Sequence, residues 1–305
     1  MNACAIGIDL GGTNIKGVAV TDDGNTLRQT NVKFGAGEKS VWADKVREMV
    51  HELQTQPSPG SFETAQLPGG SPLIGLSAPG LAAKDCRSIF HMPERLQGLE
   101  GLDWTEFLGA CRPVPVLNDA QAALQGECWI GAARGLKNVF MLTLGTGVGG
   151  AAMVDGRLLR GHLGRAGHLG HLCLNPHGTP DITGTPGSLE DAIGNCTICA
   201  RSHGRFNSTH ELVAAYRAED RTATAIWLKS VRELACAITS LINVLDPEAV
   251  VLGGGIARSG DALFDPLQRY LDEIEWRPNN HRVKILPAQL GEYAGAYGAA
   301  RTAFV

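Results

Sequence analysis

The sequence predicts an α/β protein made of two related domains, and three observations predict it. A strand-turn-strand unit recurs: Gly11 leads through an apolar strand to Asp23-Gly24, and Gly145 leads the same way to Asp155-Gly156, 134 residues further on. Short apolar runs alternate with longer segments of helical period. The 305 residues include 44% hydrophobic ones, enough for two ordinary cores. The expected boundary gives an N-terminal domain of 1–117 and a C-terminal domain of 118–305, with the closing helix, 292–305, free to pack back on the first.

Taken in order, Cys4–Asp9 and Ile15–Thr21 read as a hairpin around Gly11-Gly12, and Asp22-Asp23-Gly24 turns the chain into a third strand, Leu27–Phe34. Ser40 can cap a helix running to about Leu53, with Val41, Val46, Met49, Val50 and Leu53 near one face. Gln56–Ser71 reads as a loop, Leu73–Ser77 as a strand, and the segment to Leu108 has too weak a periodicity to assign. Val114, Val116 and Leu117 make a strand that runs into a helix over Ala120–Gly131. The second half repeats the hairpin from Phe140, becomes helical from Leu189, over Thr209–Ala218 and over Thr222–Leu245, and returns to strand at Ala249–Leu252. Gly253-Gly254-Gly255, a helix over Ala262–Ile274, a strand at Val283–Leu286 and an Ala- and Gly-rich helix close the chain.

Asn118 and Asp119 sit where a strand meets a helix. A carboxylate there has a fixed backbone behind it, as a positioned general base needs. Either residue also serves as a helix cap, and the junction alone does not separate the two roles.

The chain carries 27 basic and 31 acidic residues, a net charge of −4, with no Lys or Arg run able to track a phosphate backbone, which disfavours nucleic acid. It shows neither a signal segment nor an apolar stretch of membrane length, so a soluble, cytoplasmic protein with no membrane partner is expected. The eight cysteines lie mostly in apolar segments, the pattern of reduced, buried thiols.

Glycine turns let backbone N–H groups approach an anion, and phosphate is their natural ligand; each taken singly is also an ordinary hairpin. Gly145, Gly147 and Gly150 match the dinucleotide spacing, but a strand rather than a helix follows them, and no acid lies at the required distance. GxxxxGK[ST] is absent, and Ser77 lies in no GxSxG elbow.

The chain resembles the ROK family of sugar kinases along nearly its whole length. The resemblance rests on DLGGTNIKG (Asp9–Gly17), APG (Ala78–Gly80), LNDAQAA (Leu117–Ala123), LGTGVGG (Leu144–Gly150), DGRLLRG (Asp155–Gly161), AGHLGH (Ala166–His171) and VLGGG (Val251–Gly255). It implies the duplicated ribonuclease-H-like fold of actin and hexokinase, with ATP in an interdomain cleft. Asp9, Gly11, Gly12, Thr13, Asn14, Lys16, Gly145, Thr146 and Gly147 would then lie near the phosphates, and Gly253, Gly254 and Gly255 near the nucleoside. Asp119 would be the catalytic base and Asp9 the acid that holds Mg²⁺. Gly80, Asn118, His168, His171 and Glu190 would border or grip the sugar. A homodimer is the family expectation.

Two departures stand out. Many members have Glu where this chain has His168, and His there resembles the bacterial N-acetylmannosamine kinases, against a plain glucokinase reading. Many also bind structural zinc through the His of GH and three cysteines, but Asp181, Thr183 and Ser188 stand at those cysteine positions, so no structural zinc is expected. Cys173 with Cys196 and Cys199 could rebuild a metal site elsewhere; burial is the plainer expectation. The expected activity is transfer of the γ-phosphate of ATP to a hexose hydroxyl, glucose-like or N-acetylated. A sugar-responsive repressor is disfavoured because Asp9 leaves no room for a DNA-reading domain ahead of it, and a silent sensor because the acids and glycine turns are present.

Overall fold

The computed structural model describes residues 3–35, 39–55, 72–92 and 96–305. The loop expected at Gln56–Ser71 lies outside them, as does the side chain of Ser40. Two compact units emerge: unit 1 comprises Met1–Gly135, Leu158–Ala166 and Gln289–Val305, and unit 2 comprises Leu136–Arg157 and Gly167–Ala288. This partition differs from a single cut after residue 117: the helix following the strand at Val116–Asn118 packs on the closing helix, and both belong to unit 1.

Unit 1 contains β1 (Cys4–Leu10), β2 (Asn14–Thr21), β3 (Thr26–Lys33), α1 (Lys39–Thr55), β4 (Leu73–Ala78), β5 (Leu81–Ala82), β6 (Ile89–His91), α2 (Trp104–Leu108), β7 (Val116–Asn118) and α3 (Asp119–Ile130). The chain continues through β8 (Val139–Leu144), β9 (Val148–Val154), β10 (Arg157–Leu158), α4 (Leu189–Ile193), α5 (Ile198–Arg201), α6 (Thr209–Arg217) and α7 (Arg221–Leu245). It ends with β11 (Ala249–Gly253), α8 (Asp261–Ile274), β12 (Lys284–Pro287) and α9 (Ala294–Ala303).

The sheet orders are β3-β2-β1-β4-β7 and β10-β9-β8-β11-β12. In each, an antiparallel hairpin, β1/β2 or β8/β9, is extended by parallel strands. The sequence repeat is thus a repeat of topology, the duplicated ribonuclease-H-like arrangement. No helix of the described residues is long and apolar enough to cross a membrane.

Strand periodicity sets the faces of the first sheet. Ile6, Ile8 and Leu10 of β1, with Ile74 and Leu76 of β4, join the core beneath α1, where Trp42 meets Trp104 at 6.0 Å between ring centroids. The alternate residues, Ala5 and Gly7 of β1 and Gly75 of β4, face α9. Any larger side chain at Gly7 or Gly75 would strike the α9 backbone, so that helix lies close on the sheet. The same parity turns Asp9 and Ser77 toward the first turn of α9, where a Cβ on Gly295 would stand 2.7 Å from the Asp9 carboxylate.

Candidate active site

Three parallel strands of unit 1 end together, with Asp9 paired to Ser77, and Ser77 to Leu117, followed by Ala78 with Asn118. The Ser77 hydroxyl donates to Asp9 Oδ1 at 2.7 Å. Burial pushes the Asp9 carboxyl up to about 6; the Ser77 hydrogen bond opposes this, the charge of Asp119 adds to it, and Lys16 opposes it. Lys16 is the cross-strand neighbour of Asp9, with Nζ 3.6 Å from the Glu292 carboxylate. Between the two strands the turn is closed by Gly11 N–H donating to the Asn14 carbonyl at 2.9 Å, with Gly12 and Thr13 exposed at its tip.

The strand-helix junction separates its two polar residues. Asn118 is the cap: its Oδ1 accepts from the N–H groups of Ala120 at 3.0 Å and Gln121 at 3.4 Å. Its Nδ2 donates to the Gly80 carbonyl at 2.9 Å, and Gly80 holds φ +100°, where a Cβ would press on the His91 carbonyl. Asp119 is the first residue of α3, exposed, and accepts from Ala120 N–H at 2.8 Å. With the capping done by its neighbour, Asp119 keeps a carboxylate on the solvent side of a rigid junction.

In unit 2, Gly145 N–H donates to the Gly147 carbonyl at 2.9 Å, forming the turn between β8 and β9. Glu190, buried at the start of α4, accepts from Val148 N–H at 2.8 Å, and its carboxylate occupies the space a Cβ on Gly147 would take. The chain after α4 braces the same turn, with Asn195 N–H donating to the Gly145 carbonyl at 3.0 Å and Cys196 N–H to the Thr146 carbonyl at 2.8 Å.

A pocket of about 540 Å³ opens beside this turn, lined by Gly145, Thr146, Asn195, Ala214, Arg217 and Gly255 among others. Of Gly253, Gly254 and Gly255, only Gly255 lines it. Gly253 ends the strand buried, and the exposed Gly254 holds φ +87°, where a Cβ would strike the Leu144 backbone. Arg217 Nη2 donates to the Ser259 carbonyl at 2.8 Å, tying α6 to the turn after Gly255. Arg217 and Asn195 belong to no motif in the sequence, and Ser77 gives only the weak signal of a hydroxyl in an apolar strand.

His168 stands just before a short helical turn, Leu169–His171, makes no side-chain cap to it, and is partly buried. His171 Nδ1 lies 2.7 Å from Asp181 Oδ2. Despite the cost of burial, hydrogen bonding with His171, Thr183 and Ser188 holds the Asp181 carboxyl well below the usual carboxylate range. Among the described residues no group of three or more His, Cys, Asp or Glu side chains could hold a metal ion. The thiols correct the burial expectation: only Cys4 and Cys86 are buried, while Cys111, Cys173, Cys196, Cys199 and Cys236 are exposed. Cys196 and Cys199 stand on a surface turn whose buried residue is Ile198, and Cys236 on the outward face of α7.

Known proteins resemble this chain along most of its length. The chain is 31% identical to a glucokinase of Thermotoga maritima, across 97% of this chain and 95% of that protein. It is 33% identical to an N-acetylmannosamine kinase of Vibrio cholerae, across 60% of this chain and 62% of that protein. A ROK family glucokinase from Streptomyces griseus, solved in complex with glucose and AMPPNP, superposes with a TM-score of 0.76 at 25% identity, covering 98% of this chain and 99% of that one. The model of the ROK family matches residues 5–304, and with the repeated sheet topology and the paired glycine turns this makes the chain a member of that family.

Proposed function

We propose that this protein is an ATP-dependent hexose kinase with Asp119 as its general base. The observation that carries the reading is the division of labour at the strand-helix junction: Asn118 caps α3, leaving Asp119 an exposed carboxylate on fixed backbone. Asp119 takes the proton of a sugar hydroxyl as its oxygen attacks the γ-phosphorus, and the bond from that phosphorus to the bridging oxygen breaks to release ADP. The likeness to a glucokinase bound to glucose and an ATP analogue supports both substrates.

The nucleoside of ATP fits the pocket beside Gly145, Thr146 and Gly255, and Gly147 continues the same turn toward the phosphates. Gly11, Gly12, Thr13, Asn14 and Lys16 form the corresponding turn of unit 1 and serve the phosphates by the same motif. Gly80, Asn118, His168, His171 and Glu190 are the sugar contacts; with its Oδ1 spent on the cap, Asn118 offers the sugar only its remaining amide hydrogen.

Asp9 suits Mg²⁺: it is a hard oxygen ligand whose ionised form is penalised by burial and by Asp119, and a cation relieves that penalty. Bound there, Mg²⁺ would supply charge neutralisation to the phosphate oxygens. A coupled ADP-release assay over glucose, mannose and their N-acetylamino forms, with and without Mg²⁺, tests the reading; no ADP release with any sugar overturns it and favours a non-catalytic sugar sensor.

Glucose is the favoured acceptor through the glucokinase relatives. His168 and the likeness to an N-acetylmannosamine kinase favour an N-acetylhexosamine as the second reading. The family expectation of a cytoplasmic homodimer carries over, and light scattering on the purified protein tests the dimer.

A further inference from the structure

The loop 173–188 is suspended between two residues proposed to hold the sugar, His171 before it and Glu190 after it. Its two ends are joined: Leu189 N–H donates to the Leu172 carbonyl at 2.9 Å, and Leu174 N–H to the Gly187 carbonyl at 2.9 Å. Asp181 lies at its centre with a side chain 1% exposed. One carboxylate oxygen, Oδ1, accepts from Thr183 N–H and Thr183 hydroxyl, both at 2.8 Å, and from Thr185 N–H at 3.0 Å. The other, Oδ2, faces His171 Nδ1 at 2.7 Å. Ser188, also a hydrogen-bond partner of Asp181, caps α4 two residues before Glu190.

We propose that Asp181 is a positioning residue which, by accepting from Nδ1–H, fixes the His171 ring and its tautomer and so presents Nε2 to the sugar as an acceptor. The proposal rests on the sugar-binding role given to His171 above. An imidazole held through one nitrogen exposes a defined lone pair on the other, the same logic by which an outer carboxylate orients a metal-bound histidine. Here the outer carboxylate is that of Asp181, and through Ser188 it keeps the start of the Glu190 helix in step with His171. The partner group on the sugar is then a hydroxyl that donates, so a deoxy analogue at that carbon leaves Nε2 without its hydrogen bond.

Long-range proton-nitrogen NMR of the His171 ring in the wild-type protein at pH 8 reads the tautomer directly: the Nδ1–H form is expected, and the Nε2–H form overturns the proposal. Kinetics supply the second test. Asp181→Asn, which keeps an oxygen for the Thr183 and Thr185 bonds but weakens the hold on His171, should raise the sugar KM about tenfold or more, with the ATP KM and Tm little changed. In a His171→Ala background the same substitution should add little, because its effect passes through the ring. A folded Asp181→Asn protein with unchanged sugar KM sinks the idea. If the wild type phosphorylates no sugar, the functional reading fails, while the NMR measurement still decides whether Asp181 sets the ring.

Discussion

Asp9 and Ser77 occupy matching positions on adjacent parallel strands, and the serine hydroxyl donates to the aspartate at 2.7 Å on the sheet face turned toward α9. The bond does not offset the burial of the carboxylate, whose pKa stands at about 6 against an ordinary 3.8. The native state therefore binds this proton more tightly than the unfolded chain does. Its contribution to stability is intact below pH 3.8 and falls as the pH rises through 6. Asp9→Asn, which keeps an acceptor for Ser77, should stabilise the protein at pH 7.5 by up to about 3 kcal/mol and have little effect at pH 4. Urea titrations at both pH values check this, and equal gains at the two would contradict the assignment. The same variant should lose most of its Mg²⁺-dependent turnover.

Asp119→Asn should leave the fold and the sugar KM nearly unchanged while kcat drops by about 10²-fold or more. The stability cost is confined to the charge in the first turn of α3, about 0.3–1 kcal/mol, because Asn118 does the capping. Near-normal turnover would remove Asp119 from the chemistry.

Glu127 is fully buried, its Oε2 accepting from Ala132 N–H at 2.7 Å and its Oε1 from Gln289 and Leu290 N–H at 2.9 and 2.8 Å. One side chain thus ends α3 and anchors the approach to α9. Glu127→Ala strands three donors, each costing about 1–3 kcal/mol, so a loss of at least about 3 kcal/mol is expected in chemical denaturation. A change below about 1 kcal/mol would mean that water or a shifted loop replaces the carboxylate.

Ala214 lies at the exposed edge of the pocket beside Gly145 and Gly255. Ala214→Trp places an indole in that space and should raise the ATP KM about tenfold or more without moving the sugar KM. The opposite split, a sugar KM that rises alone, would reassign the pocket.

The legible parts of the chain are those written locally. The strand alternation of β1 to β3, the Asp-Gly turns and the helical period of α7 depend on neighbours in sequence, and each appears where its pattern lies. Trp104 shows the opposite case: α2 has only five residues and is held by burial against Trp42, a partner 62 positions away that periodicity does not reveal. The helix expected from Leu189 stops at Ile193 because the chain turns at Gly194 to brace Gly145 and Thr146. Among the residues of the proposed site, Asp119 and the glycine turns announce themselves by motif, whereas Ser77, Arg217 and the Asp181–His171 pair gain meaning only from tertiary neighbours. Cys199 and Cys236 mislead because apolar flanking residues on a helix share the chain, not the face, with the cysteine.

His168 precedes the turn that carries His171, and its carbonyl accepts from His171 N–H at 3.4 Å. The residue is partly buried, so a change there alters a confined environment rather than bulk solvent. A neutral imidazole offers one donor and one acceptor, while an ionised glutamate only accepts and brings a negative charge. Sugars that differ by a hydroxyl against an acetamido group should sense that exchange. His168→Glu is expected to change the ratio of kcat/KM between glucose and N-acetylhexosamines by about tenfold or more, the scale of one pocket hydrogen bond. Coupled assays of both sugars with both proteins decide it. A shift toward glucose would identify His168 as a determinant of N-acetyl recognition, and an unchanged ratio would place it outside sugar discrimination, whichever hexose is the better acceptor.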